Sequence, residues 1–135
     1  MKRKIIVPPT GLLPHRPYSP GVLAGRHLYV SGHTGSDPVT REIAKGPEAQ
    51  AQQAFENIRA VIEAAGGTMA DVVKVNVFMI DMPTDFEAMN AVFRKVFPKD
   101  PPARTTVGVA HLARSGLHLE IEVVAVLDDS AGEPR

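Results

Sequence analysis

Two charged residues interrupt segments that are otherwise apolar, and their types are suited to chemistry. Arg104 lies in PPARTTVGV and Glu120 lies in LHLEIEVVAV. A charge that a strand directs into a buried surface needs a partner or a ligand. The planar guanidinium of Arg104 would bind a carboxylate or a phosphate, whereas Glu120 would act as an acid or base whose pKa burial raises. The alternative is structural: each charge faces solvent, or the two pair with each other.

A metal site is the other chemistry that the last segment suggests. His118, Glu120 and Glu122 alternate along it and so share one face, which offers imidazole and carboxylate ligands. Three ligands on one extended strand span roughly 13 Å, too wide for one small ion, so we expect no metal there. The other histidines show no helical HxxxH or HExxH spacing. We expect them on loops or at the surface: His15, His27, His33 and His111.

The composition narrows the class of protein. The chain has 135 residues, 44% of them hydrophobic, which suits one domain over 1–135 with a polar tail from 128. Fifteen basic residues balance fifteen acidic ones, so no general basic surface for nucleic acid is evident. The absence of cysteine excludes disulfides and a cysteine nucleophile and fits a reducing, cytoplasmic compartment. No segment reaches the ~20 apolar residues of a membrane helix.

Periodicity predicts two amphipathic helices and six strands. The first helix covers 47–65, where apolar residues recur at spacings of three and four and Gly66 follows. The second begins at a capping box, T-D-F-E at 84–87, and runs to Phe97. β-Branched or alternating residues mark the strands: 4–7, 22–24, 27–31, 72–80, 103–109 and 117–127. The resulting order is β-β-β-α-β-α-β-β, with a hairpin turn at Gly25.

This order predicts an α+β protein with one uncovered sheet face. Two helices cover only one face of such a sheet. The other face would carry half of each strand, including apolar positions of the last strand. Soluble monomers rarely expose an apolar patch larger than a few hundred Å². We therefore expect the chain to form an oligomer through this face.

Several segments resemble the RidA (YjgF/YER057c/UK114) family. They are R-P-Y-S-P at 16–20, Y-V-S-G at 29–32, E-N-I-R-A-V-I-E-A-A-G at 56–66, D-V-V-K-V-N-V-F at 71–78, P-P-A-R-T-T-V at 101–107 and E-I-E-V-V-A-V at 120–126. They keep the family's order and spacing over residues 14–127. The resemblance implies a chorismate-mutase-like α+β protomer. It also implies a homotrimer whose three sheets form a central barrel, with the helices outside.

The resemblance also implies an activity and a set of site residues. Active members of the family hydrolyse reactive enamines and imines such as 2-aminoacrylate to 2-keto acids and ammonia, in clefts between subunits and without a cofactor or metal. The family arginine that grips the substrate carboxylate matches Arg104, and the glutamate associated with water activation matches Glu120. The implied substrate-binding residues are Tyr18, Ser31, Gly32, Asn90 and Thr106.

Three residues depart from the family's pattern. Arg16 and Pro20 replace the Gly and Gln of G-P-Y-S-Q, and His33 replaces the Gln of S-G-Q. They lie beside the implied cleft and point to a larger or different imino acid. Two other functions stay open: a non-catalytic trimer that binds small carboxylates, and RNA cleavage or translation inhibition. The neutral charge gives the RNA activity little support, because phosphate binding relies on Lys and Arg.

Overall fold

A mixed sheet with both helices on one face makes up the protein, and the computed structural model describes residues 2–11 and 16–128. The strands are Arg3–Ile6 (β1), Gly21–Ala24 (β2), His27–Thr34 (β3), Val72–Met79 (β4), Ala103–Gly108 (β5) and Leu119–Val126 (β6). The α-helices are Pro47–Ala64 (α1) and Met82–Val96 (α2), and a short 3-10 turn, Met69–Asp71, precedes β4. The predicted α+β class and order β-β-β-α-β-α-β-β are confirmed.

The order of the strands leaves part of β3 without a neighbour. The sheet runs β1-β2-β3-β6-β4-β5, with β5 parallel to β4 and every other neighbouring pair antiparallel. The β2–β3 hairpin turns at Gly25, whose φ of 62° glycine adopts without steric cost. Its pairing begins with Gly21 opposite Val30. Residues 31–34 of β3 therefore have no strand beside them on that side, and we call this edge the notch.

The core lies between the helices and the sheet. Ala54, Phe55 and Ile58 of α1 are essentially fully buried there. The Phe55 ring meets Phe93 of α2 and Phe97 edge-on, with centroids 6.1 and 5.7 Å apart. Each such side chain contributes about 1.5–3 kcal/mol when it is fully buried. This cluster therefore fixes how both helices lie on the sheet.

The start of α2 differs from the prediction. The helix begins at Met82 rather than at a capping box on Thr84, and its N-cap is Asp81. The Asp81 carboxylate accepts a hydrogen bond from the backbone N–H of Thr84 at 3.4 Å. Pro83 fits the first turn because the N–H groups of that turn have no intrahelical acceptor in any helix. The helix therefore extends through Pro83, and the N-cap moves to the preceding acid.

The sheet face opposite the helices carries exposed apolar side chains. Along β6, buried residues on the helix side alternate with half-buried residues on the other side. On that other side Tyr29 of β3 is 51% exposed and Val107 of β5 is 40% exposed. Oligomer formation through this face stays a prediction. Within the described residues, no helix is long and apolar enough to span a bilayer.

Candidate active site

Arg104 lies on the edge strand β5 and points toward α2. It pairs in register with Val75, which is fully buried on the helix side of the sheet. The guanidinium Nη1 donates a hydrogen bond to Oδ1 of Asn90 at 2.6 Å. The guanidinium carbon stands 4.6 Å from the centroid of the Phe93 ring, within the range of a cation–π interaction. Asn90 and Phe93 therefore hold the guanidinium in one position.

No carboxylate neutralises Arg104 in the described part of the chain. The ion pairs found there join Arg59 to Glu56 and His118 to Asp85. Burial lowers the pKa of the Arg104 guanidinium, and the nearby Arg94 lowers it further. A partly desolvated cation without an anionic partner gains from any carboxylate that reaches it. The geometry suits a ligand carboxylate better than a structural ion pair.

Thr106 and a cavity complete the surroundings of Arg104. Thr106 follows two residues later on the same face of β5, and its Oγ1 is buried without a hydrogen-bond partner. A cavity of about 380 Å³ lies beside Arg104, with Asn90, Phe93, Arg94 and Pro102 in its walls. The structure therefore brings Arg104, Asn90 and Thr106 together, as the resemblance implies.

Glu120 lies on the opposite face of the sheet, beside the notch. It pairs with Phe78 of β4 and with Thr34 of β3. Burial raises the pKa of the Glu120 carboxyl, and the neighbouring Glu122 adds to this. A Cβ atom at Gly32 would lie 2.9 Å from the Glu120 carboxyl carbon. A side chain at position 32 would therefore displace this carboxyl from its present position.

The segment 16–20 packs beside the notch and brings Tyr18 with it. The Ser31 hydroxyl donates to the carbonyl of Ser19 at 2.6 Å, and the Ser31 N–H donates to the carbonyl of Pro20 at 3.0 Å. Tyr18 is 46% exposed, and its hydroxyl accepts a hydrogen bond from Arg16. Ser31 thus acts mainly by tying this segment to β3.

A cavity of about 330 Å³ opens at the notch. Its walls include Tyr18, Gly32, His33 and Glu120. The predicted site residues Tyr18, Ser31, Gly32 and Glu120 therefore form a second group. Asn57 of α1 borders the same cavity, and its amide donates to the carbonyls of Thr34 and Ser36. Asn57 lies off the apolar stripe of α1, so no sequence pattern indicated it.

The two groups do not meet within one chain. Arg104 and Glu120 are on strands separated by β4 and on opposite faces of the sheet. The alternative that they pair with each other is therefore wrong for a single chain. A site that uses both side chains requires a second copy of the chain.

His33 is not the loop or surface histidine that the spacing predicted. It lies in β3 opposite the buried Ile121, and its Nε2 is buried without a hydrogen-bond partner. Burial, helped by the charge of Arg16, lowers the pKa of His33 to about 4. The ring is therefore neutral at physiological pH. His27 and His111 are exposed, and His15 lies outside the described residues.

His118 has a partner that the sequence did not reveal. Its Nδ1 is 2.7 Å from Oδ2 of Asp85, a residue of α2 that is only 3% exposed. Asp85 stands on the core side of the helix, where a carboxylate needs a partner. Across residues 2–11 and 16–128, no three His, Asp or Glu side chains come together as a metal site.

Comparisons with known proteins identify the family. A profile of the endoribonuclease L-PSP family matches residues 10–127. The chain is 43% identical over 127 residues to the 2-iminobutanoate/2-iminopropanoate deaminase of Dermatophagoides farinae, covering 93% of this chain and 98% of that protein. It is 42% identical over 125 residues to the RutC family protein UK114 of Drosophila melanogaster, covering 92% of this chain and 89% of that one.

Solved structures agree with the sequence comparisons. RidA from the Antarctic bacterium Psychrobacter superposes with a TM-score of 0.85 at 41% identity, covering 92% of this chain and 99% of that one. The YjgF gene product from E. coli gives a TM-score of 0.84 at 36% identity, covering 91% of this chain and 98% of that one. The protein therefore belongs to the RidA (YjgF/UK114) family, whose profile carries the description endoribonuclease L-PSP.

Proposed function

We propose that this protein is a cofactor-independent deaminase of reactive 2-imino acids, with active sites between the subunits of a homotrimer. The observation that carries the proposal is the guanidinium of Arg104, which is held by Asn90 and Phe93 and meets no carboxylate of the described residues. The 43% identity to a protein named 2-iminobutanoate/2-iminopropanoate deaminase supports this substrate class.

Arg104 binds the substrate carboxylate and thereby positions the imine carbon. The guanidinium presents a planar fork of donors that matches a carboxylate with two hydrogen bonds. Asn90 occupies one of those donors and sets the orientation of the fork. The Thr106 hydroxyl, two residues further along the same face of β5, has no hydrogen-bond partner among the described residues and is the candidate for a further contact with the ligand. Holding the imine carbon in one place removes much of the entropic cost of the attack by water.

Glu120 activates the water that attacks the imine. Its carboxylate takes a proton from water while the water oxygen bonds to the imine carbon, which gives a tetrahedral carbinolamine. The protonated Glu120 gives this proton to the imine nitrogen, which completes the neutral carbinolamine. It then takes the proton of the new hydroxyl group and passes it to the amino nitrogen, so the C–N bond breaks, the keto group forms and ammonia leaves. The balance is R–C(=NH)–COO⁻ plus H₂O giving R–CO–COO⁻ plus NH₃. A raised carboxyl pKa suits a group that first accepts and later donates this proton.

A second protomer supplies the other half of each site. The exposed apolar residues of the uncovered sheet face support an interface there. In this proposal a neighbouring copy packs against the edge strand β5 and brings its Glu120 cavity to Arg104. Tyr18 covers the cavity, and Gly32 leaves room for the Glu120 carboxyl.

An oxidase-coupled assay tests this function. An amino-acid oxidase generates 2-iminopropanoate from alanine or 2-iminobutanoate from 2-aminobutyrate, and disappearance of the imine is followed with and without the protein. We expect faster formation of the keto acid. Arg104→Ala should lower kcat/KM about 100-fold, because truncating one partner of a buried charged contact costs about 2–5 kcal/mol. Arg59→Ala, which removes an exposed helix cation paired with Glu56, is the matched control and should behave as wild type.

Three outcomes separate the hypotheses. Loss of activity in Arg104→Ala with retention in Arg59→Ala supports the deaminase. If wild type matches the uncatalysed rate for several imino acids but binds their keto acids through Arg104, the protein is a carboxylate-binding module. If it cleaves RNA in a salt-sensitive way that Arg104→Ala does not affect, the deaminase proposal is wrong.

A further inference from the structure

Three arginines stand at the mouth of the Glu120 cavity, and the mechanism above uses none of them. They are Arg16, Arg41 and Arg114, all in its walls and all exposed to solvent. In the ranges that the structure describes, no acid forms an ion pair with any of the three. Their charges are therefore available to a ligand.

The acids that line the same cavity are engaged elsewhere. The Asp37 carboxylate accepts hydrogen bonds from the backbone N–H groups of Val39 and Thr40 at 2.8 and 2.9 Å. Glu56 pairs with Arg59 at 3.6 Å. In the mechanism proposed above, Glu120 is the group that activates water. The hydrogen-bonded Asp37 stays ionised, so Arg41 and Arg114 together leave an excess of one positive charge over it in this part of the cavity wall.

Hydrogen bonds place Arg114 and Arg41 at one end of the cavity. Arg114 Nη1 donates to the Ser36 hydroxyl at 3.2 Å and to the carbonyl of Arg41 at 3.0 Å. Ser36 is linked in turn to the hydroxyl of Thr34, which pairs with Glu120 in the sheet. The N–H of Arg41 donates to the carbonyl of Asp37 at 2.9 Å, and Arg41 holds a φ of 68°. The Arg114 guanidinium thus stands a few side chains away from the Glu120 carboxyl, and it is bonded to the backbone of Arg41 in the same cavity wall.

The cavity is also larger than a small imino acid requires. A volume of about 330 Å³ falls in the range of sites for much larger ligands. The amide side chains of Gln53 and Asn57 add polar groups to the wall. Size and polarity both fit an extended, hydrophilic substrate side chain.

We propose that the cavity beside Glu120 receives the side chain of an imino acid that carries a second carboxylate, and that Arg41 and Arg114 bind that carboxylate. This substrate class rests on the deaminase function proposed above. The α-carboxylate lies on Arg104 of the neighbouring copy, the imine carbon lies at Glu120, and the distal carboxylate reaches the cavity mouth. An amino acid with an acidic side chain, oxidised at its α-amino group, supplies such an imine.

A matched pair of substrates tests the proposal. Glutamate oxidase generates 2-iminoglutarate from glutamate, and an amino-acid oxidase generates 2-iminopentanoate, of the same chain length, from norvaline. We expect wild type to favour the dicarboxylate in kcat/KM by about tenfold, as one or two charged hydrogen bonds would give. Arg41→Gln should abolish this preference and Arg41→Lys should restore part of it. Arg3→Gln, at an exposed position of β1 that does not line the cavity, should keep the wild-type ratio.

Binding of the stable products separates this proposal from the deaminase function. The affinities for 2-oxoglutarate and 2-oxopentanoate are measured by calorimetry for the same variants. An active enzyme that turns over both imines equally, or whose preference survives Arg41→Gln and Arg114→Gln, overturns the dicarboxylate assignment and leaves the deaminase function standing. A protein inactive on every imine but with an Arg41-dependent preference for 2-oxoglutarate keeps the binding site and loses the deaminase function. Equal affinity for both products in such an inactive protein rejects both.

Discussion

At the scale of single residues, the ring of His33 makes the free energy of unfolding depend on pH. Its folded-state pKa is about 4, against 6.5 for a free histidine, because the ring is buried. Between these values the unfolded chain binds more protons at this site than the native chain does. The free energy of unfolding therefore rises with pH in this window, by about 3 kcal/mol at most from this group.

Replacing His33 tests this coupling. His33→Gln removes the titrating group and keeps a neutral polar side chain, so the loss of stability between pH 6.5 and pH 4 should shrink. Urea unfolding of wild type and variant at pH 7.0, 5.5 and 4.5 measures the effect. Both proteins contain the same carboxylates, so the contribution of those groups to the pH dependence cancels in the difference between the two proteins. If the free energy of unfolding changed with pH by the same amount in both proteins, folding would not lower the pKa of His33.

The residue scale also shows what the sequence can reveal about the site. Arg104 and Glu120 were found because a charge inside an apolar strand segment conflicts with its neighbours. His33 was misassigned because a bulge lies between Val30 and His33, and alternation along a strand carries no sign of a bulge. Arg41 and Arg114 lie in loops, where charged residues are ordinary, so only the folded chain shows that they share a cavity.

At the scale of elements, one side chain of α1 ties two loop segments to the helix. Gln50 is 1% exposed, and its amide nitrogen donates to the carbonyls of Ala44 and Gly116 at 3.0 Å each. Its amide oxygen accepts from the N–H of His118 at 2.7 Å. These bonds hold the loop that contains Arg41 and the loop that contains Arg114 against the start of α1. A polar residue on the apolar stripe of a helix is a signal that the sequence does contain, although periodicity alone assigns no partners to it.

Truncating Gln50 should destabilise the protein without changing its helices. Gln50→Ala leaves two carbonyls and an N–H without partners, and we expect a loss of about 2–4 kcal/mol in the free energy of unfolding. Gln52→Ala, at an exposed position of the same helix, should change it by less than about 0.5 kcal/mol. Denaturant unfolding followed by circular dichroism compares the two. Similar midpoints for both variants would mean that the Gln50 bonds contribute little.

Elements themselves were predictable where local chemistry decides them. The spacing of Ala54, Phe55 and Ile58 determines the buried face of α1, and Gly25 determines a hairpin. The capping box predicts an N-cap three residues after the observed one, because two capping signals, Asp81 and Thr84, stand close together. The position of β6 between β3 and β4 in the sheet depends on contacts between distant parts of the chain. No local sequence pattern predicts this strand order.

At the scale of the whole molecule, the position of the two residue groups predicts how activity depends on assembly. Arg104 and Glu120 lie on opposite faces of the sheet, so each proposed site takes Arg104 from one subunit and Glu120 from another. Arg104→Ala and Glu120→Gln should each be inactive as pure proteins. A mixed trimer, however, contains interfaces at which both native side chains meet.

The fraction of interfaces that contain both native side chains follows from the symmetry of the trimer. In a cyclic trimer every interface joins the Arg104 side of one subunit to the Glu120 side of the next. Random assembly of equal amounts of the two variants therefore gives about one native pairing in four. Co-refolding the variants from denaturant should restore about a quarter of wild-type activity in the oxidase-coupled assay. A chain that carries both substitutions, co-refolded with either single variant, should restore none. Absence of recovery in the mixture, while light scattering shows mixed trimers, would mean that the two side chains do not share a site between subunits.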